Sequence, residues 1–223
     1  MDQGSPARRG PKRSADRGAV LAEALALVDA GGLPALTMRA LASRVGLTPG
    51  ALYTYFPDRA AIVAALVDHL LAEADTAPLL DGALPWQERL TRFALGLREV
   101  LLRHPGAVPA MLAGPFTGPV ALTVGERMLH ALGDAGLKPG DAARASYTVM
   151  VYVLGAIALE AAEITPGAPA APEADRVAER RAAFGHLDPA AYPLTHAAAD
   201  TMAAYVSTGQ FRWGLERLLT GLA

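Results

Sequence analysis

The sequence predicts an all-α fold, with a small N-terminal three-helix domain followed by a larger C-terminal helical domain. Three observations support this prediction. Apolar residues recur at helical spacings of three and four along most of the chain. Glycine and proline pairs interrupt this periodicity where helices are expected to end. No segment shows the alternating apolar and polar pattern of a half-buried strand.

The composition narrows the class of protein. The chain has 223 residues, 52% of them hydrophobic, which is enough for one large or two small domains. No unbroken apolar run reaches the roughly 18 residues of a membrane span, and the basic N-terminus lacks the apolar segment of a secretory signal. The absence of cysteine excludes disulfides, thiol nucleophiles and Cys-zinc sites. We therefore expect a cytoplasmic protein with no membrane partner.

The chain begins with a segment rich in Gly, Pro and Arg, and we expect residues 1–14 to form a basic, disordered arm. A first helix is predicted over about residues 15–30, capped by Ser14 and ended by Gly31 and Gly32. Its inner face is formed by Val20, Ala24, Leu27 and Val28.

Residues 36–59 read as two short helices joined by a tight turn. Thr37 is a favourable cap for the first of them, and Gly46 ends it. Thr48 caps the next helix, predicted over about residues 48–55, with proline at its first position. The inward positions of this pair are Met38, Leu41, Val45, Leu52 and Phe56. Residues 15–60 are therefore predicted to form a helix-turn-helix domain.

The outer face of the third helix is small and uncharged. It presents Pro49, Gly50, Tyr53 and Thr54, and it is flanked by Arg39, Arg44 and Arg59. Such a face suits the major groove of DNA, and the helix N-terminus favours phosphate. Gly50 costs helix stability, which close approach to DNA or a simple packing requirement would explain. The alternative for the whole segment is a three-helix core that binds nothing.

The charge distribution favours DNA binding more than the total does. The net charge is −2, but residues 1–60 carry eight basic and five acidic residues, a local charge of +3. A local basic face is sufficient to attract phosphates. Five of these basic residues precede position 18, so the arm either reaches the DNA minor groove or phosphates or remains a solvated tail.

Residues 61–223 are predicted to form a helical body. Asp58 caps a fourth helix, and a loop over residues 76–85 follows. The helices are predicted over residues 59–75, 86–104, 108–113, 120–135, 141–164, 194–207 and 210–222. Residues 165–193 are predicted to form a mobile loop, whose charged centre has a short helix as an alternative. The helix over residues 141–164 is apolar on most faces, which indicates burial against a second copy.

The string TMRALASRVGLTPGALYTYFPDRAAIVAAL closely resembles the DNA-binding domain of the tetracycline-repressor (TetR) family. One departure is Pro57-Asp58-Arg59, where the family often has Asn-Lys. The tail FRWGLERLLTGL, the preceding Asp-Pro-x-x-Tyr-Pro and the Trp86-Gln87 helix start resemble the C-terminal domain of the tetracycline-repressor class. The resemblance then covers nearly the whole chain.

The resemblance implies a homodimer that binds an operator and a small-molecule effector. The implied DNA-binding residues are Thr37, Arg39, Thr48, Pro49, Gly50, Ala51, Tyr53, Thr54, Tyr55 and Arg59. Of these, Thr37, Tyr53, Tyr55 and Arg59 are expected to contact phosphates, and Arg39 to contact guanine. The implied dimer interface comprises Leu154, Ile157, Ala158, Phe211, Leu215, Leu218 and Leu219.

The resemblance also implies a ligand cavity enclosed by the fourth to eighth helices. Tetracycline repressors bring histidine and amide side chains to drug and metal, whereas this chain has mostly apolar residues at the matching positions: Asp75, Phe93, Leu97 and Ala110 or Met111. The candidate lining residues are Trp86, Phe93, Leu97, Met111, Met128, Tyr147 and Met150. We expect a larger, hydrophobic effector such as a polyketide, a lipid-like molecule or an aromatic metabolite, and a cavity above roughly 300 Å³. The alternative is that these residues are ordinary core.

No catalytic, metal or cofactor site is expected. The five histidines lack the His-Glu-x-x-His spacing, and the chain has neither a Gly-x-Ser-x-Gly motif nor a phosphate-binding loop after a strand. The predicted function is a ligand-responsive transcriptional repressor that binds a palindromic operator as a homodimer and is released by its effector. The alternatives are an activator, or a small-molecule-binding protein of the same fold without operator binding.

Overall fold

A computed structural model of the chain describes residues 16–165 and 171–222, and these residues form α-helices and no strand. The all-α prediction is confirmed. The helices are α1 (Arg17–Ala35), α2 (Met38–Arg44), α3 (Pro49–Leu52), α4 (Arg59–Glu73), α5 (Trp86–Arg103), α6 (Val108–Ala113), α7 (Pro119–Asp134), α8 (Pro139–Ala161), α9 (Glu173–Gly185), α10 (Pro193–Ala197), α11 (Ala199–Ala203) and α12 (Thr208–Thr220). Two 3-10 turns, Ala77–Leu80 and Pro105–Ala107, precede α5 and α6. The predicted arm over residues 1–14 lies outside the described residues.

The head consists of α1, α2 and α3, and its helix ends follow the predicted signals. The hydroxyl of Thr37 accepts a hydrogen bond from the backbone N of Ala40 at 3.1 Å, and so caps α2. Gly46 ends α2 with a φ of +69°, which favours glycine. Gly32 has the same φ within α1, so the regular part of this helix stops there. The predicted cap Ser14 lies outside the described residues.

The fourth helix runs from the head into the body. The carboxylate of Asp58 accepts a hydrogen bond from the backbone N of Ala61 at 2.8 Å, as predicted for its N-cap. Its inner face is fully buried at Ile62, Leu66 and Leu70. Because α4 packs against α1 of the head and against α5, α6 and α7 of the body, it connects the two.

A buried ion cluster joins α9 to the rest of the body. The guanidinium of Arg98 on α5 donates to both carboxylate oxygens of Glu160 on α8 at 2.8 Å. Arg176 on α9 donates to the same carboxylate at 2.7 Å. Glu173 at the start of α9 accepts hydrogen bonds from Arg98 at 3.2 Å and from the backbone N of Thr208 at 2.9 Å. These contacts attach α9 to α5, α8 and the start of α12.

The electrostatics of Glu173 reflect this docking. Burial opposes its ionisation, but hydrogen bonds from Thr208 and the charge of Arg98 lower the pKa of its carboxyl below the ordinary value.

The predicted loop over residues 165–193 contains α9. The prediction of a loop is therefore wrong at its centre, where the alternative of a short helix holds. Residues 166–170 lie outside the described part of the chain.

Helices α8 and α12 pack closely at one glycine. The hydroxyl of Tyr152 on α8 donates to the backbone O of Phe211 on α12 at 3.0 Å. A Cβ atom on Gly214 would lie 2.1 Å from that hydroxyl oxygen, so a larger residue there would displace the Tyr152 side chain. Burial raises the pKa of the Tyr152 phenol above its usual value, although a backbone hydrogen bond at Leu215 opposes this.

This packing bears on the predicted dimer interface, which stays a prediction. Five of the seven predicted residues are buried within the protomer: Leu154, Ile157, Phe211, Leu215 and Leu219. The apolar seam of α12 faces α5 and α8 of its own chain. Ala158 and Leu218 are half-buried. The outward apolar residues of α8 are Tyr147, Val151 and Leu159.

Two helices, α1 and α8, are long and apolar enough to cross a membrane by length and composition alone. Both nevertheless carry charged side chains in ion pairs: Glu23 with Arg44, and Glu160 with Arg98. Each also contributes buried residues to the common hydrophobic core. Such pairing is typical of helices packed within a folded body.

Candidate nucleic-acid interface and ligand cavity

The third helix, predicted over about residues 48–55, is shorter in the structure. Thr48 caps α3 by accepting a hydrogen bond from the backbone N of Ala51 at 3.2 Å. Regular helix extends over Pro49–Leu52, and a tighter turn continues to Tyr55, whose N bonds to the O of Leu52 at 2.9 Å. The backbone N and the hydroxyl of Thr54 both donate to the backbone O of Ala51. The second of these hydrogen bonds favours the tighter turn.

The outer face of α3 is open to solvent. Leu52 and Phe56 are fully buried as predicted, whereas Tyr53 is 52% exposed. Thr37, Thr48, Pro49, Gly50 and Thr54 are exposed, and Ala51 and Tyr55 are half-buried. A Cβ atom added to Gly50 would meet nothing within 4 Å. Packing within the described chain therefore does not require glycine here.

The three arginines that flank this face differ in their contacts. Arg39 is exposed and makes no hydrogen bond or ion pair with any residue of 16–165 or 171–222. Arg44 pairs with Glu23 on α1. Arg59 instead donates from Nε to the backbone O of Leu36 at 2.7 Å and from Nη2 to that of Leu33 at 2.8 Å. If Arg59 also contacts a phosphate, it must use the N–H groups that these two hydrogen bonds leave free.

The head also contacts the body directly at the turn after α5. Nδ1 of His104 lies 2.8 Å from a carboxylate oxygen of Asp29 on α1. A Cβ atom on Gly106 would lie 2.2 Å from the backbone O of Val28, so the two backbones are in contact. Among the described residues, no group of three or more His, Cys, Asp or Glu side chains forms a potential metal site.

A cavity of about 270 Å³ lies inside the body between α4, α5, α6, α7 and α8. Its lining is predominantly apolar, and Ser146 and Glu126 are its polar residues. The lining comprises Leu71, Leu90, Phe93, Ala94, Leu97, Met111, Phe116, Ala121, Leu122, Val124, Gly125, Glu126, Met128, Leu129, Ser146, Val149, Met150, Val153 and Leu154. Leu122 and Glu126 are exposed, which places the mouth of the cavity beside α7.

The cavity agrees with the prediction in position but not in every residue or in size. Five predicted residues line it: Phe93, Leu97, Met111, Met128 and Met150. The other two predicted residues, Trp86 and Tyr147, do not line this cavity, and Tyr147 is 64% exposed. The volume of about 270 Å³ falls just below the expected 300 Å³. Flexible methionine side chains can rearrange around a larger molecule.

The cavity walls are attached to α4. The carboxylate of Asp68 on α4 accepts a hydrogen bond from the backbone N of Ala121 on α7 at 3.0 Å. At the end of α6, a Cβ atom on Gly114 would lie 2.7 Å from a methyl group of Val67 on α4. Since Ala121 and Met111 line the cavity, α7 and α6 connect its walls to the helix that leads to the head.

Comparisons with known proteins agree with both halves of this arrangement. Residues 20–66 match the family model described as "Bacterial regulatory proteins, tetR family", and residues 77–223 match "Tetracyclin repressor-like, C-terminal domain". The chain is 29% identical over 204 residues to the tetracycline repressor protein class A from transposon 1721 of Escherichia coli, covering 92% of this chain and 88% of that protein.

Solved structures show the same architecture. A possible TetR family transcriptional regulator from Streptomyces coelicolor A3(2) superimposes with a TM-score of 0.76 at 33% identity, covering 93% of this chain and 98% of that one. BioQ with its natural double-stranded DNA operator superimposes with a TM-score of 0.63 at 27% identity, with the same coverage of both chains.

Proposed function

Because the chain belongs to the TetR family of bacterial transcriptional regulators, we propose that it is a ligand-responsive repressor that binds a palindromic operator as a homodimer in the cytoplasm. The observation that carries this proposal is the exposed, uncharged outer face of α3. Gly50 occupies the middle of that face although nothing in the described chain requires glycine there. Because glycine has no side chain, the backbone at this point can approach base edges more closely than it could with any other residue.

Two copies of the head would place their α3 helices in successive major grooves about 34–36 Å apart. Arg39 is the candidate for a guanine contact, since it is exposed and has no partner among the described residues. Pro49, Gly50, Ala51 and Thr54 would read thymine methyl groups and shape. Thr37, Tyr53 and Tyr55 would contact phosphates.

We propose that the two copies associate through the outward faces of α8 and α12. Tyr147, Val151 and Leu159 on α8 are more than half exposed, as is Trp213 on α12. Exposed apolar side chains of this size on adjacent helices are typical of a surface covered by a partner. Ala158 and Leu218 lie half-buried at the edges of these faces, so both remain candidates for the interface.

The effector would be a largely hydrophobic molecule. The cavity wall is made predominantly of aliphatic, aromatic and methionine side chains, and among the described residues no basic side chain lines it to neutralise an acid. A buried carboxylate without a partner is costly, so uncharged molecules are favoured. None of the described lining residues is one of the histidine or amide side chains that the resemblance associates with tetracycline and its metal.

Release from DNA would follow from movement of α4. An effector shifts the equilibrium only if it binds the released state more tightly than the DNA-competent state. Displacement of Ala121 or Met111 by a ligand would be transmitted to α4 through Asp68 and through the contact between Gly114 and Val67. The separation of the two heads would then change.

A gel-shift assay with duplex from the protein's own upstream region, or with fragments selected from genomic DNA, tests the proposal. Binding of a palindromic duplex is expected. Arg39→Ala should cost about 1–3 kcal/mol and relax preference at one base pair. If the wild-type dimer binds no selected duplex above its non-specific level, the repressor assignment is wrong. Equal weakening of Arg39→Ala on all sequences would assign Arg39 to phosphate contacts instead.

A further inference from the structure

The side chain of Arg59 faces the corner between α1 and α2. It is the first residue of α4, yet its Nε and Nη2 groups donate to the backbone oxygens of Leu36 and Leu33, at 2.7 and 2.8 Å. These carbonyls lie 23 and 26 positions earlier in the chain. Two short hydrogen bonds from one planar guanidinium fix both its position and its orientation.

This corner determines the direction of α2. The regular part of α1 stops at Gly32, and Leu36 is fully buried immediately before Thr37, the cap of α2. The backbone N of Leu36 bonds back to the O of Leu33 at 3.2 Å, so both carbonyls that Arg59 binds belong to one turn. The guanidinium therefore holds the turn from which α2 and its Arg39 extend.

We infer that Arg59 is a positioning residue for operator binding, which holds the α1–α2 corner against the start of α4 and so sets the orientation of the helix-turn-helix relative to the lever helix. This inference rests on the proposed repressor function. On this inference the main role of the Arg59 side chain is to position the corner, instead of contacting a phosphate. A lysine keeps the charge but has no planar fork, so it cannot reproduce both hydrogen bonds in the same geometry.

The two roles predict opposite results for Arg59→Lys and Arg59→Ala. Operator affinity is measured at several salt concentrations by fluorescence anisotropy, with a duplex that the wild type selects. If Arg59 positions the corner, both variants lose about tenfold or more in affinity, while the slope of log K against log salt is unchanged. If it contacts phosphate, Arg59→Lys stays close to wild type, and Arg59→Ala lowers the slope by about 0.9 for each phosphate lost. That second result overturns the inference.

A measurement without DNA separates positioning from general stability. Amide hydrogen exchange is compared for residues 36–41 and for α5 in the free dimer. We expect faster exchange in both Arg59 variants at the corner, with α5 unchanged. Loss of thermal stability with unchanged operator affinity well below the melting temperature would also overturn the inference.

Arg92→Ala is the matched control. It removes an exposed arginine from the body, whose partner among the described residues is Glu88, one turn away. Its operator affinity and corner exchange should equal those of the wild type. If the wild type binds no duplex, the proposed function fails and the role of Arg59 in operator binding fails with it. Unchanged corner exchange in both Arg59 variants rejects the inference alone.

Discussion

The carboxylate of Asp68, in the middle of α4, accepts a hydrogen bond from the backbone N of Ala121 at 3.0 Å and a longer one from Val120 at 3.3 Å. Asp68 thus caps the N-terminus of α7 from another helix. Gly118 makes this possible, since a Cβ atom there would lie 2.3 Å from the carboxylate. One side chain joins the wall of the cavity to the helix that reaches the head.

Asp68→Ala should lower the free energy of unfolding by about 0.5–2 kcal/mol, because the first backbone N–H groups of α7 lose their acceptor. Asp68→Asn should retain most of the stability, since an amide oxygen also caps helices. Urea unfolding measures both. Asp141→Ala, at an exposed first-turn position of α8, is the control and should change stability by less than about 0.5 kcal/mol. Equal stability of Asp68→Ala and wild type would contradict the capping role.

Gly50→Ala should stabilise the protein and weaken DNA binding at the same time. The added methyl group meets open space in the free chain, and alanine is favoured over glycine in helices by about 0.5–1 kcal/mol. On the operator, the same methyl group would occupy space needed by base edges. Thermal unfolding and gel shift measure the two effects. Gly133→Ala, exposed on α7 with equally open surroundings, should stabilise without affecting DNA binding.

Gly125→Leu should block the cavity. Gly125 lines it, and a Cβ atom there has no neighbour within 4 Å, so the larger side chain extends into empty space. The uncharged fluorophore N-phenyl-1-naphthylamine should bind the wild type and lose most of its fluorescence enhancement with this variant. Gly133→Leu on the same helix is the control and should bind the dye normally. Unimpaired dye binding by Gly125→Leu would place the binding site elsewhere.

Tyr147→Glu combined with Val151→Glu should convert the dimer to a monomer. Both side chains are more than half exposed on α8, and two charges there would be buried unpaired in the proposed interface. Sedimentation equilibrium measures the change. Leu80→Glu, at a 52% exposed position before α5, is the control and should remain dimeric. A wild-type chain that sediments as a monomer would refute the homodimer.

The docking of α9 should weaken in acid. The pKa of Glu173 is lowered in the folded chain, so its stabilising contribution is complete above the ordinary value of 4.5 and is lost as the pH falls through the lower folded pKa. Hydrogen-exchange protection factors of α9, corrected for intrinsic rates, should fall below pH 4.5. Glu173→Gln should show lower protection at neutral pH and a flatter acid profile. An identical acid profile in both proteins would exclude Glu173 as the responsible group.

The parts of the fold that depend on neighbours in sequence were predictable. Thr37, Thr48 and Asp58 each accept a hydrogen bond from the backbone N three residues later, as their residue types and positions predict. The buried pair Leu52 and Phe56 follows from helical spacing in the same way. These signals locate the head and its exposed face without further information.

The parts that depend on distant contacts were not predictable. Helix α8 is apolar on most faces, so periodicity alone could not determine whether Tyr147 faces the cavity or the outside. The ion pair between Arg98 and Glu160 joins residues 62 positions apart, and Arg176 and Glu173 of α9 bind to these two side chains. The bonds of Arg59 to the α1–α2 corner have the same long-range origin.

The backbone contact between Gly106 and Val28 limits how heads and bodies can be recombined. A hybrid regulator that pairs this sensing body with a foreign operator specificity must bring a first helix whose backbone passes equally close to the turn after α5. Exchange of α2 and α3 alone leaves this contact untouched. The natural boundary for transplanting operator specificity therefore lies after Gly32, inside the head, instead of at the start of α4.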